Sequence, residues 1–282
     1  MKKILLYFFL IILSINTIAQ ENQDSSSFIN EGHYIGVSGG IAISSLRDLG
    51  TSPLFYTGIL PSAQLSHIYY FGKNIWNFKF TTLNGVYLHM TDIDMFSASG
   101  NIFDFEFSFL HNYAEEGNEY RTYIGTSLNN FSSFRNNSSF MNASFAFDNI
   151  SYLNLDYKFE YDWVRKEKQK KLFWLFKYTR KEKRYVLGAK VGIPVFSMLY
   201  RPGYTYLGNA TNSNNTLFPG YEWNYKVFPG LNTDLSISRV LNNGNQMKLS
   251  YYWDFMTTGK LSENRLEQSK HMLLYTLIFN LN

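Results

Sequence analysis

The sequence predicts an all-β chain forming one antiparallel up-and-down barrel of ten strands, and three observations predict it. Aromatic and polar residues alternate with period two along most of the chain. Short, turn-like connectors alternate with longer ones. The 282 residues include 25 Phe, 22 Tyr and 5 Trp, 18% aromatic in all, and so many ring hydroxyls suit a face in contact with lipid and headgroups better than a soluble core.

The alternation is clearest from Leu153 to Trp163. Leu153, Leu155, Tyr157, Phe159, Tyr161 and Trp163 fall on one face, and Asn154, Asp156, Lys158, Glu160 and Asp162 on the other. Successive side chains of a strand point to opposite faces, whereas a helix would spread these polar residues around its circumference. The same pattern sets Phe103, Phe105, Phe107 and Phe109 against Asp104, Glu106 and Ser108. It also sets Leu249, Tyr251, Trp253 and Phe255 against Lys248, Ser250, Tyr252 and Asp254. Weaker versions run from Ile35 to Ile43 and from Trp76 to Phe80.

In chain order the expected strands are Glu31–Ser44, Gln64–Phe71, Ile75–Met90, Asn101–Asn112, Glu119–Leu128, Ala143–Trp163, Tyr185–Leu199, Leu231–Leu241, Met247–Thr258 and His271–Leu281. Turns at Gly72-Lys73-Asn74, Glu115–Asn118 and Asn242–Asn245 alternate with longer connectors, Leu46–Gly58, Thr91–Gly100, Asn129–Asn142, Arg201–Gly230 and Gly259–Lys270. Short periplasmic turns and long external loops characterise a membrane-spanning barrel. A break at Asp148-Asn149, or an extra pair within Thr205–Phe228, would raise the count to twelve. Pro194 cannot donate a ladder hydrogen bond, so its strand needs a bulge or an end there.

The first nineteen residues carry Lys2-Lys3, an apolar run from Ile4 to Leu13 and the exit Thr17-Ile18-Ala19, the layout of a cleaved secretory signal. The expected organisation is a signal over residues 1–19, a short periplasmic segment over 20–30 and a barrel over 31–282. Cysteine is absent, which excludes disulfides, thiolate metal ligands and a thiol-borne lipid anchor.

With these strands in place, the chain resembles the bacterial outer-membrane β-barrel superfamily. The Ala19-Gln20 junction and the abundance of Asn, Ser, Tyr, Phe and Lys resemble exported barrels of Bacteroidota. The last strand, with Leu273, Tyr275, Leu277, Phe279 and Leu281 on one face, resembles the terminal assembly signal of such barrels but ends in Asn282 instead of an aromatic residue. The resemblance implies the outer membrane and leaves the activity open.

By parity the lumen receives Lys79, Asp104, Glu106, Arg121, Asp156, Lys158, Glu160, Asp162, Lys190, Asp234, Lys248 and Asp254. The interior of so small a barrel is filled by side chains, so mixed charges are expected to form a hydrogen-bonded plug. Asp234 and Asp254, close across a turn, are a candidate carboxylate pair. No metal site or cofactor is expected, and no catalytic residue.

Outer-membrane phospholipase A and the lipid A deacylases resemble one another in a His two residues before a Ser, and none of His33, His67, His89, His111 or His271 has Ser at that offset. Asp92 and Asp94 are similar to the paired aspartates of the omptin proteases, but Arg201–Gly230 lacks the Asp-His pair that those enzymes also need.

The most distinctive segment is a basic island. Arg165, Lys166, Lys168, Lys170 and Lys171 precede Leu172, Phe173, Trp174, Leu175 and Phe176, and Lys177, Arg180, Lys181, Lys183 and Arg184 follow, against only Glu167 and Glu182. Cations flanking an apolar centre suit a membrane interface or a docking partner, and the alternative is a long hairpin with solvated lysines. The formal charge of the whole chain is only +4, so no nucleic-acid partner is expected. Expected partners are outer-membrane lipid, lipopolysaccharide, peptidoglycan or another outer-membrane protein. The expected function is a structural or docking component of the outer membrane with an occluded lumen. A small selective channel is the alternative, and a lipid-acting enzyme or protease the second.

Overall fold

Alternating side chains can satisfy a barrel only if every backbone group finds a partner on a neighbouring strand, and the last strand must meet the first. The computed structural model describes residues 28–49, 52–90, 95–114, 118–136, 145–172, 176–202, 221–258 and 265–281. The signal segment, residues 20–27 and the aspartates at 92 and 94 lie outside the described residues.

The strands are β1 (Gly32–Asp48), β2 (Ser52–Phe71), β3 (Asn74–Met90), β4 (Met95–Asn112), β5 (Tyr120–Asn136), β6 (Phe145–Arg165), β7 (Lys168–Leu172), β8 (Phe176–Arg180), β9 (Lys183–Pro202), β10 (Tyr221–Lys226), β11 (Gly230–Val240), β12 (Gln246–Thr258) and β13 (Leu266–Asn280). Antiparallel pairing runs β1-β2-β3-β4-β5-β6-β9-β11-β12-β13, and β13 returns to β1 with Asn280 opposite Tyr34 and Leu266 opposite Asp48. The ring is a closed ten-stranded antiparallel barrel. β7 and β8 pair only with each other and form a separate ribbon.

Twelve strands are excluded by two pairings. β6 runs unbroken through Asp148 and Asn149. β10 lies on the same edge of β9 as β11 does, with Lys226 opposite Ser197 and Asn232 opposite Gly192, so it extends β11 rather than adding a strand.

Strands reach further at the end away from the termini than the sequence pattern suggested. β1 continues to Asp48 rather than Ser44, β2 starts at Ser52 rather than Gln64, β5 continues to Asn136, and β13 starts at Leu266. Ser, Thr, Gly and Asn dilute the alternation there, but the ladder persists because each backbone N–H and C=O still needs a partner. Pro194 sits at a bulge. Leu153 faces Phe196 and Asn154 faces Pro194, so Val195 is the extra residue.

The closed ring sorts side chains cleanly. Tyr34, Ser38, Ala42, Ser44, Leu46 and Asp48 of β1 are buried in the lumen, while Ile35, Val37, Ile41 and Ile43 are exposed outside. β13 repeats this with Leu274 and Met272 inside and Leu273, Tyr275, Leu277 and Phe279 outside. From Ile35 to Ile43 the apolar exterior covers about 27 Å of strand at roughly 3.3 Å per residue. A tilt of about 40° reduces that to roughly 20 Å, close to the height of a lipid-facing band.

Aromatic rings mark both edges of this band. Toward the termini, Tyr69 stacks on Phe71 and Trp163 on Tyr185. At the opposite end Phe103, Phe134, Phe147, Tyr200 and Trp223 form a chain of ring contacts. The turns at the terminal end are tight, and Gly72 and Gly244 adopt φ of 51° and 80°, which a Cβ disfavours.

Candidate functional site

Inward parity on seven strands brings the predicted lumen charges into two linked groups. In the middle of the barrel, Glu106 of β4 receives Lys79 at 3.2 Å and Lys190 at 2.7 Å, and Lys190 also reaches Asp156 at 3.0 Å. Asp234 lies 3.9 Å from Lys79 and 3.7 Å from Lys248. Asp104 and Asp254 share Lys270, at 2.7 and 2.8 Å. Toward the terminal end, Arg121 spans Asp162 at 2.7 Å and Glu160 at 3.1 Å, and Lys158 meets Glu160 at 2.7 Å.

Asp234 and Asp254 do not act as a carboxylate pair. Asp234 faces Tyr252 and Asp254 faces Asn232 across the β11–β12 ladder, and each carboxylate meets its own ammonium. Asn232 Nδ2 also donates to Asp254 at 2.5 Å.

Five further lumen charges were not anticipated. Lys270, which the sequence pattern leaves at the end of the connector Gly259–Lys270, is only 2% exposed. Asp48, Arg135, Asp148 and Arg201 form a buried cluster at the loop end. Arg135 bonds both Asp48, at 2.7 Å, and Asp148, and Arg201 reaches Asp48 at 2.5 Å and Asp148 at 3.3 Å. Extending the parity of β1 and β5 past the expected strand ends reaches Asp48 and Arg135, and Asp148 already shares the inward parity of the expected strand Ala143–Trp163. Arg201 needs the bulge as well: in β9, Lys190, Gly192 and Pro194 face inward on even positions, and beyond Val195 the inward set becomes Ser197, Leu199 and Arg201.

A packed apolar group fills the lumen beside this cluster, with Lys270 and Gln268 between its two leucines on β13. Leu60, Leu83, Ile102, Ile150, Leu266 and Leu274 are 0–1% exposed within one continuous packed group. Tyr87 closes it from the side and donates to Ser44 Oγ at 3.1 Å. Toward the terminal end the lumen holds a cavity of about 70 Å³ whose mixed lining includes Gln64, Lys158, Lys248, Ser238, Ile75 and Leu110. Ile29 contributes to this cavity's wall, and Phe28 N–H donates to Asp162 at 3.4 Å, so the start of the described chain lies across the terminal mouth.

The basic island becomes the β7–β8 ribbon, with Lys168 opposite Arg180 and Leu172 opposite Phe176. Lys166, Lys168 and Lys181 are exposed, and Arg165 and Arg180 are half-buried. Lys170, Lys171, Leu172, Phe176 and Lys177 lie on the ribbon strands, and Phe173, Trp174 and Leu175 lie outside the described residues. The ribbon leaves the barrel at the end that carries both termini.

The outer face holds a Ser-His arrangement in the reverse order to His-x-Ser. Ser269 precedes His271 by two residues on β13, the reverse of the order sought, and the two side chains share the outward face with Tyr251 and Trp253 of β12.

No protein-family model matches the chain, and no curated protein matches it. Similar solved structures include the transport unit of the autotransporter AIDA-I from Escherichia coli, 8% identical, covering 97% of this chain and 96% of that one, with a TM-score of 0.47. Neisserial surface protein A is 10% identical over 88% of this chain and 97% of its own, at 0.37. Ail of Yersinia pestis is 12% identical over 89% and 100%, at 0.28. The closure and strand number rest on the pairing register of this chain.

Proposed function

We propose that this chain is an outer-membrane β-barrel with a sealed lumen, acting through its ends and outer surface as a structural or docking component. The observation that carries this reading is the filled lumen. Asp48, Arg135, Asp148 and Arg201 close on one another at the loop end, Glu106, Lys79, Lys190 and Asp156 pair in the middle, and a packed apolar group that includes Leu60, Leu83, Ile102 and Ile150 occupies the space between the walls. A hydrated ion could pass only by breaking buried ion pairs, which costs several kcal/mol. The apolar exterior supports placement in a bilayer, since such a girdle around a water-exposed protein would drive aggregation.

Docking falls to the β7–β8 ribbon. It pairs with no barrel strand, presents Lys166, Lys168 and Lys181 to solvent, and sits at the terminal end, for which the even strand number and the signal-like layout of the first nineteen residues support a periplasmic side. Its fitting partners there are anionic: inner-leaflet headgroups, peptidoglycan or an acidic face of another outer-membrane protein.

Reconstitution in planar bilayers tests the seal. The full barrel is expected to give no steady conductance. A reproducible single-channel step that disappears on changing Lys79, Arg121 or Asp156 would replace this reading with a selective channel.

A further inference from the structure

On the lipid-facing side of β12 and β13, four side chains form one hydrogen-bonded group. Tyr251 Oη and His271 Nδ1 are 2.7 Å apart, His271 Nε2 and Ser269 Oγ are 3.4 Å apart, and Trp253 Nε1 donates to Ser269 Oγ at 3.2 Å. The indole stacks against the imidazole at 12° between planes. An indole N–H can only donate, so Ser269 accepts that bond and keeps its own proton to give. In the tautomer with hydrogen on Nδ1, that proton goes to His271 Nε2 and Nδ1–H donates to Tyr251 Oη; in the other, Tyr251 O–H donates to Nδ1 and Ser269 Oγ accepts from both rings. The first tautomer gives the order nucleophile, base, orienting group.

Its height on the barrel matters as much as its geometry. His271 lies opposite Ile43, and Ser269 opposite Ser45. At this level the outward residues of β1 change from Ile41 and Ile43 to Ser45 and Arg47, and those of β13 change from Leu273 to His271, Ser269 and Glu267. The cluster therefore sits on the rim of the apolar band at the loop end, the boundary where acyl chains meet headgroups and where the ester bonds of lipids lie. Just beyond it Arg47 and Arg265 flank Glu267, at 3.7 and 2.6 Å, and place guanidiniums at the depth of lipid phosphate.

We propose that Ser269, His271 and Tyr251 form an acyl-ester hydrolase site that opens onto the bilayer and takes phosphate-bearing lipid. Ser269 Oγ bonds to the ester carbonyl carbon while His271 Nε2 accepts its proton. The bond from that carbon to the alcohol oxygen breaks, His271 returns the proton to this oxygen, and the deacylated lipid leaves. Water then attacks the acyl-serine and gives its proton to Nε2; the carbon–Oγ bond breaks, Oγ takes the proton, and fatty acid departs. Tyr251 is a positioning residue that holds the imidazole in the tautomer the first step needs. The 3.4 Å contact is at the long end for a resting nucleophile and base, as such contacts often are before substrate binds. None of this uses the lumen, so the sealed-barrel reading and the hydrolase site stand or fall separately.

The test uses the folded full-length barrel in detergent micelles with phosphatidylglycerol or with lipid A. It follows fatty-acid release by mass spectrometry and covalent labelling by a fluorophosphonate. Release from one lipid or the other is expected, with the label on Ser269. Release from phosphatidylglycerol alone assigns glycerol esters, and release from lipid A alone assigns glucosamine-linked acyl chains. Ser269→Ala should abolish both signals, and His271→Asn should lower turnover about a thousandfold. Tyr251→Phe should lower kcat at unchanged KM and displace the pH–rate profile, which a purely structural tyrosine would not do. These side chains point outward, so each variant is expected to keep the heat-modifiable gel band of the folded barrel. A folded wild type that neither releases fatty acid nor takes the label overturns the proposal, as does wild-type release by Ser269→Ala.

Discussion

Arg201 is 1% exposed and touches two aspartates from different strands, so β1, β6 and β9 are tied together at one side chain. Breaking a buried ion network by removing one partner costs more than the network contributes, because the remaining charges stay desolvated. Arg201→Ala is therefore expected to destabilise the barrel by about 3–5 kcal/mol, measured as a shift of the urea unfolding midpoint in micelles. Lys270 occupies a similar position between Asp104 and Asp254, and it shows how a residue at an assumed strand boundary can belong to the interior. Its inward parity with Met272 and Leu274 was visible, but Ser269 and His271 beside it broke the apolar alternation on the outer face and masked the strand.

A single extra residue changes what β9 presents. The bulge at Val195 accommodates Pro194, which has no N–H to give the ladder, and it moves the inward set from even to odd positions. Deleting Val195 should restore strict alternation and turn Ser197, Leu199 and Arg201 toward lipid. The expected outcome is a loss of the folded, heat-modifiable gel band greater than that caused by Arg201→Ala, since the charged cluster and the packing of Leu199 in the apolar group fail together. The proline announced an irregularity in the sequence, but its direction depends on the partner strand. β10 poses the same difficulty. Its six residues read as one half of a possible hairpin, and only pairing with β9 makes them an extension of β11.

For the whole molecule, ten strands put both chain ends and the β7–β8 ribbon at one end of the barrel. With that end in the periplasm, trypsin added to intact cells should leave Arg165–Arg184 uncut, and permeabilisation should expose it. Cleavage without permeabilisation would reverse the orientation and put the ribbon against the outer leaflet. The interior is filled along the axis, with ion pairs at the loop end and in the middle, a packed apolar group running beside them, and a small cavity toward the termini. In a narrow barrel such filling separates the ends from one another, which is why the ends and exterior carry the functional readings.

Period two, the aromatic load and the rhythm of connectors were enough for the sequence by itself to determine an all-β barrel and the parity of its charges from Lys79 to Asp254. Each of these depends only on the neighbours of a residue along its own strand. Pairing decided ten strands over twelve. The loop-end cluster, the separation of Asp234 from Asp254 and the Ser269–His271–Tyr251 group were decided by the tertiary structure. They depend on register between strands, and a ladder can continue after its side-chain pattern fades because the backbone hydrogen bonds that sustain it leave no trace in residue type.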